Sequence, residues 1–425
     1  ATGGAATGGA ATGGAATGGA ATGGAATGGA ATGGAATGGA ATGGAASGGT
    51  TCQVSESCDG IDNDCDGKVD LSDGLALSGT NRVDSDLHSD ISVAWSPTTS
   101  KFVVTGVKDK SLYFGTLSAT GTLSWNSSPF NALGSSSDGY SRASIAWAPA
   151  WSNFGIVFHT AGYPGVYKGY IVIMSPSGEL ITEFSPVDSV RQPAVVARAT
   201  GDLMLTHSTG GSLPPTVITR IDQGAGYRSG TNIDEVATRS RIATAGDLSA
   251  IVYQVQNTNT IDWVRANASI IVPAGYPQQL ATGGQAPDIA TTHSGSNYAI
   301  AWATAAGFSF QLMKATDGST VCGPLSVSFG NGALDVNDGV ALASTQYGNL
   351  VLATDSAFGA GEAKVFRISD ACTLIDSAPV ASNAGTISAP VVSVGGGYAA
   401  LSWTEWTSED GYLTYTRVMR DSLCN

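Results

Sequence analysis

Charge is what this sequence has least of. Its 425 residues carry 19 Lys and Arg against 33 Asp and Glu, 12% charged in all, and the first 50 residues carry no charge. So sparse a pattern excludes a coiled coil or a charged disordered chain, which need heptads or dense charge. A net charge of −14 excludes a phosphate-binding face, because capturing nucleic acid requires clustered Lys and Arg that release counterions. No nucleic acid partner is expected. No apolar run approaches the ~18 residues of a membrane helix, so no span is expected either. A charged segment followed by an apolar one is missing at the start, and for an exported protein the chain reads as the mature form. Histidine is scarce, and His88, His159, His207 and His293 scatter along the chain. Neither G-x-S-x-G nor H-E-x-x-H occurs, and the acids beyond residue 75 show no obvious pair. No catalytic constellation is legible, and the chain is read as not an enzyme.

What is present begins with a perfect repeat. Residues 1–45 are nine copies of Ala-Thr-Gly-Gly-Ala, followed by the degenerate unit Ala46-Ser-Gly-Gly-Thr50. With nothing larger than Thr, one such tract cannot bury enough apolar surface to offset an ordering entropy of about 1–2 kcal/mol per residue. Residues 1–50 therefore read as a stalk of up to about 150 Å when extended. Two readings stand: a plain spacer to a cell surface, or a fibre segment ordered by self-association or by glycans. The Thr row, Thr2, Thr7, Thr12, Thr17, Thr22, Thr27, Thr32, Thr37 and Thr42, offers regular hydroxyls for O-linked sugar. Sequons at Asn126 and Asn267 add two further candidate positions.

Residues 51–74 form a Cys/Asp-rich neck with the spacing of a calcium loop. Asp62, Asp64 and Asp66 stand at loop positions 1, 3 and 5, and Gly67 takes the sharp turn. Lys68 follows with the inward backbone carbonyl, and Asp70 and Asp73 take positions 9 and 12. Hard oxygens at alternate positions wrap a cation that accepts 6–8 of them. Seven acids against one base in 52–73 would repel each other without a divalent ion. Calcium is the expected cofactor. Asp in place of Glu at position 12, and Cys and Gly on the flanks, fit a thrombospondin-type-3-like or dockerin-like loop rather than an EF-hand.

The run Cys58 to Asp70, Cys-Asp-Gly-Ile-Asp-Asn-Asp-Cys-Asp-Gly-Lys-Val-Asp, resembles the MopE-type metal-binding motif of secreted or surface proteins of myxobacteria and related bacteria. The resemblance covers about 13 residues and implies a surface location and a metal. The family name points to copper, but the oxygen donors here suit calcium, since copper prefers imidazole or thiolate. Six cysteines fit an exported protein. No C-x-x-C pair exists and the histidines lie far away, which disfavours zinc. Three cysteines near each end, Cys52, Cys58 and Cys65 against Cys322, Cys372 and Cys424, require at least one bridge between the ends if all pair. Cys424 to Cys52 is expected, with Cys58 to Cys65 and Cys322 to Cys372.

From residue 75 to 425 the chain repeats weakly about every fifty residues. Each unit opens with a short apolar run: Ile91–Trp95, Ser144–Trp147, Ala194–Ala197, Arg241–Ala243, Asp288–Ala290, Val340–Leu342 and Pro390–Ser393. A small residue sits in each, namely Ala94, Ala146, Ala197, Ala243, Ala290, Ala341 and Ser393. Two more apolar runs follow in each unit. Turns such as Ala119-Thr-Gly121, Pro176-Ser-Gly178 and Asp317-Gly318 lead into a fourth. Seven such units describe an all-β, seven-bladed β-propeller preceded by the calcium neck and the low-complexity repeat. The chain ends where the seventh fourth strand would begin, so Leu75–Gly79 is expected to complete that blade and remove its edge.

The leading functional expectation is an extracellular or cell-surface structural protein, a filament or adhesion component with a glycosylated or bundled repeat and a packing or ligand-binding head. The alternative is a calcium-dependent carbohydrate-active propeller enzyme, or a glycan-binding propeller on a flexible surface tether. Fold alone does not choose between them.

Overall fold

Apolar runs of four to six residues, each bounded by Gly, Ser, Asn or Asp, become short antiparallel strands stacked four to a sheet. The structure is a computed structural model. It describes residues 81–84, 91–108, 111–126, 143–162, 166–188, 190–208, 215–222, 226–256, 258–329, 339–355, 361–383, 386–407 and 411–420. The Thr repeat, the loop from Asp62 to Asp73, the strand expected at Leu75–Gly79, His88, and Cys52, Cys58, Cys65 and Cys424 lie outside the described residues, so the stalk, calcium and fibre expectations rest on sequence.

The first strand, β1 (Asn81–Asp84), belongs to the last blade. Blade 1 is β2 (Ser92–Ser96), β3 (Lys101–Lys108), β4 (Ser111–Leu117) and β5 (Leu123–Trp125). Blade 2 is β6 (Ala143–Ala148), β7 (Asn153–Gly162), β8 (Val166–Met174) and β9 (Leu180–Asp188). Blade 3 takes β10 (Arg191–Ala197), β11 (Leu203–Ser208), β12 (Pro215–Asp222) and the first half of β13 (Gly226–Ala245). The second half of β13 opens blade 4, which continues with β14 (Leu248–Val255), β15 (Thr260–Ala266) and β16 (Gln278–Thr282). Blade 5 is β17 (Gln285–Thr291), β18 (Asn297–Thr304), β19 (Gly307–Lys314) and β20 (Thr320–Ser328). Blade 6 is β21 (Val340–Thr345), β22 (Gly348–Asp355), β23 (Gly361–Ile368) and β24 (Leu374–Asn383). Blade 7 is β25 (Thr386–Gly395), β26 (Tyr398–Thr407) and β27 (Gly411–Arg420), completed by β1.

The seven opening strands touch one another in a closed ring, β2 against β6 and so on round to β25 against β2. This is the seven-bladed propeller that the repeat predicts. Burial explains the sequence pattern. Middle strands are packed on both faces, so β14 and β22 are buried along almost their whole length, whereas outer β20 is mostly exposed. Seven apolar clusters form, one between each pair of adjacent blades. The expected turn glycines Gly121, Gly178 and Gly318 have φ of 84°, 88° and 79°. At the seam between blades 7 and 1 a Cβ on Gly395 would lie 2.1 Å from Trp95, so only glycine admits that indole.

Two expectations are corrected. The described strand that closes blade 7 is β1, pairing Asn81 with Thr416 and Arg82 with Tyr415. An outer strand needs only one inward residue, here the buried Val83, so an apolar run was the wrong signal for it. The small-residue row also shifts in two blades. Pairing puts Val196 opposite Met204 and Ala343 opposite Leu350, so these hold the positions of Ala94 and Ala243 in place of Ala197 and Ala341. The Cys322–Cys372 bridge is present with a Cα separation of 5.8 Å, tying β20 of blade 5 to the turn before β24 of blade 6. Closing a loop of 50 residues, it contributes about 4 kcal/mol in the chain-entropy model.

Candidate functional site

All seven blades wall a single cavity of about 230 Å³ at the end where their inner strands begin. Its wall is built in rows, because equivalent residues of the seven repeats come to the same height. One row is aliphatic throughout, Val93, Ile145, Val195, Ile242, Ile289, Leu342 and Val392, and all of these but Ile145 and Ile289 line the cavity. One residue earlier the row is mixed: Ser92, Ser144, Ala194, Arg241, Asp288, Ala341 and Val391. One residue earlier again stand Ile91, Ala143, Pro193, Ser240, Pro287, Val340 and Pro390, of which all but Ser240 and Pro287 line the cavity.

The mixed row serves the free edge of the inner strands. An innermost strand has a partner on one side only, so alternate backbone groups face the axis. The amide of Ile145 donates to Ser92 Oγ at 3.3 Å, and that of Val195 to Ser144 Oγ at 3.1 Å. Asp288 does this twice, accepting from Ile289 N at 2.9 Å through Oδ1 and from Leu342 N at 2.8 Å through Oδ2. Arg241 Nε lies 3.8 Å from Asp288 Oδ1, and Arg241 Nη1 donates to the Ser240 carbonyl at 3.1 Å. Both side chains keep contact with solvent, at 26% and 18% exposure.

The mouth is bent by a recurring bulge. Ladder register slips just before the mixed row in β10, β13, β17 and β25. Gln192, Arg239, Ala286 and Ala389 occupy the slipped positions with φ of 47°, 54°, 45° and 50°. Proline follows three of the four, fixing the turn back into the strand. Side-chain amides hold two bulges across blades: Arg239 N donates to Gln192 Oε1 at 2.9 Å and Ala286 N to Gln254 Oε1 at 3.2 Å.

Arg241 and Asp288 open adjacent repeats, 47 residues apart, and only the ring brings them together; the polar residue at the head of each apolar run was the available signal. Of the described histidines, His159 and His207 are buried on β7 and β11 and His293 is exposed, and none of these three lines the cavity. Burial holds the His207 imidazole below its ordinary pKa, with a weak opposing contact to the Ser208 carbonyl. Burial first, then the nearby Glu183 carboxylate, raises the Tyr170 phenol. Among the described residues no group of three or more His, Cys, Asp or Glu is placed to hold a metal.

No family model and no curated protein matches the chain. Solved structures do. An ulvan lyase, described as a new family of polysaccharide lyase, is similar with a TM-score of 0.52 at 10% identity, over 83% of this chain and 97% of that one. The same lyase bound to -[GlcA(1-4)Rha3S]- gives 0.51 at 10% identity over 83% and 97%. The polysaccharide lyase Uly1 gives 0.48 at 11% identity over 81% and 99%. At such identities the shared property is the fold. The comparison overturns the expectation that the chain is not an enzyme, because propellers of this kind include polysaccharide lyases. The missing linear motif was poor ground for it: a propeller gathers side chains from several blades, as Arg241 and Asp288 show.

Proposed function

We propose that this protein is a surface glycan-binding, carbohydrate-active propeller whose ligand seats in the axial cavity. The observation that carries the reading is the convergence of Ser92, Ser144, Arg241 and Asp288 on one cavity with otherwise apolar side chains. A concave site with a few convergent, directed polar groups is the usual form of a small-ligand site, and the exposed wall here is more polar than apolar, as a sugar requires. The propellers of similar fold that act on a sulfated uronate polysaccharide support the carbohydrate class. In this reading residues 1–50 tether the head, and Asp62, Asp64, Asp66, Lys68, Asp70 and Asp73 hold calcium in a neck that stiffens the junction.

The test is retention of the full chain on an array of immobilised polysaccharides, with each retained polymer then incubated with the protein and sized for cleavage. At least one polymer is expected to bind, with Arg241→Gln losing most of that binding. Retention of none, or retention that Arg241→Gln leaves intact, contradicts the assignment. Calorimetric calcium uptake, lost in Asp64→Ala with Asp66→Ala, checks the neck separately.

A further inference from the structure

Resting on the glycan reading above, we infer that the axial cavity takes one uncharged sugar ring, the terminal unit of a glycan, entering end-on along the propeller axis. Inner strands of all seven blades contribute to the wall, so it runs the whole way round the axis. A cleft lets a polymer lie across it, but a well admits only an end. Its volume of about 230 Å³ equals the share of roughly seven or eight waters, room for one ring and its hydroxyls.

Among the described residues, Arg241 and Asp288 are the ionic side chains on the wall, one of each sign, and they lie 3.8 Å apart. A carboxylate or sulfate bound there would leave a net charge in a partly desolvated well, which is costly without a further partner. The whole chain, at −14, adds nothing to attract an anion.

The hydrogen-bond inventory of the wall runs in both directions, as a hydroxyl requires. Four axis-facing amides of the aliphatic row are capped, those of Ile145, Val195, Ile289 and Leu342. The corresponding amides of Val93, Ile242 and Val392 follow Val391, Ala194 and Ala341 of the preceding blade, and aliphatic side chains offer no acceptor. Among the described residues no side chain caps these three amides, and in this reading they are the donors a ligand meets. On a free antiparallel edge a residue that turns its N–H outward turns its carbonyl to the same side, so acceptors stand beside them. The hydroxyls of Ser92 and Ser144, already accepting, keep a proton to donate.

The experiment uses the full chain on the retained polysaccharide, with methyl glycosides of glucose, galactose, mannose and rhamnose and free glucuronate as competitors. One neutral glycoside is expected to displace the polymer, with glucuronate at least ten-fold weaker and the neutral competition insensitive to salt. Arg241→Gln and the double variant Ser92→Ala with Ser144→Ala should each weaken the glycoside at least ten-fold, while circular dichroism reports the fold. Glucuronate competing as well as the best neutral sugar overturns the inference. So does a polymer that stays bound against every monosaccharide, which means an internal segment is recognised. Failure of every polymer to bind removes the glycan reading itself, and this inference with it.

Discussion

The aliphatic row around the axis and the mixed row one residue above it come from the same seven strands, yet they obey different rules. In the lower row every blade supplies Val, Ile or Leu, since a β-branched or γ-branched side chain there must fill the space where seven sheets converge. In the upper row the seven blades supply five kinds of residue, and the sevenfold regularity is lost. Packing keeps a repeat uniform, whereas a site for an asymmetric ligand must break it. Arg241 and Asp288 are where it breaks most.

Substitutions can sharpen or dissolve this contrast. The largest effect belongs to the lower row: Ile145→Ala removes buried methylenes and should cost about 2–5 kcal/mol in chemical denaturation, with ligand binding kept under native conditions. Asp288→Ala comes next. It uncaps the amides of Ile289 and Leu342 and strips Arg241 of its carboxylate, so a loss of about 1–3 kcal/mol is expected together with loss of binding. A loss in stability alone would make the upper row structural like the lower. Ser92→Ala removes a single cap and should cost about 1 kcal/mol, whereas Ala194→Ser supplies a cap for Ile242 and should gain up to about 1 kcal/mol. Equal destabilisation by both would contradict the capping account.

The smallest effect is read against pH. His207 is buried on β11 with its Nε2 unpartnered and its pKa depressed, so the unfolded chain binds a proton that the fold excludes. Its contribution is intact above the unfolded value near 6.5 and declines as pH falls from there toward the folded pKa. His207→Leu should flatten the dependence of melting temperature on pH between about 7.5 and 5.5. An unchanged slope would mean that His207 is not what loses stability with acid.

Much of the fold was legible because packing writes itself locally. Seven apolar openings, the small-residue row and the turn glycines together specify the blades. Two Ala positions misled, because Ala197 and Ala341 lie near the true positions and nothing in one sequence distinguishes them from Val196 and Ala343. The closing strand was misplaced, since an outer edge carries little apolar signal: in Asn81–Asp84 the apolar residue is Val83, which is buried. The bulges left only Pro193, Pro287 and Pro390 as traces. The Arg241–Asp288 pair was illegible as a motif, for a contact between repeats has no spacing that chemistry dictates. Cys322 and Cys372 were expected as the pair left once Cys424 was given to the neck, and the structure joins them.

The central claim is that the ligand sits on the axis, and a crystal structure of the protein with a short oligosaccharide from the retained polymer tests it most directly. The account predicts density for one sugar ring inside the well, within hydrogen-bonding reach of Arg241, Asp288 and the amides of Val93 and Val392, with the rest of the chain leaving along the axis. An oligosaccharide bound across the outer strands of a blade, with the well holding only water, would contradict it.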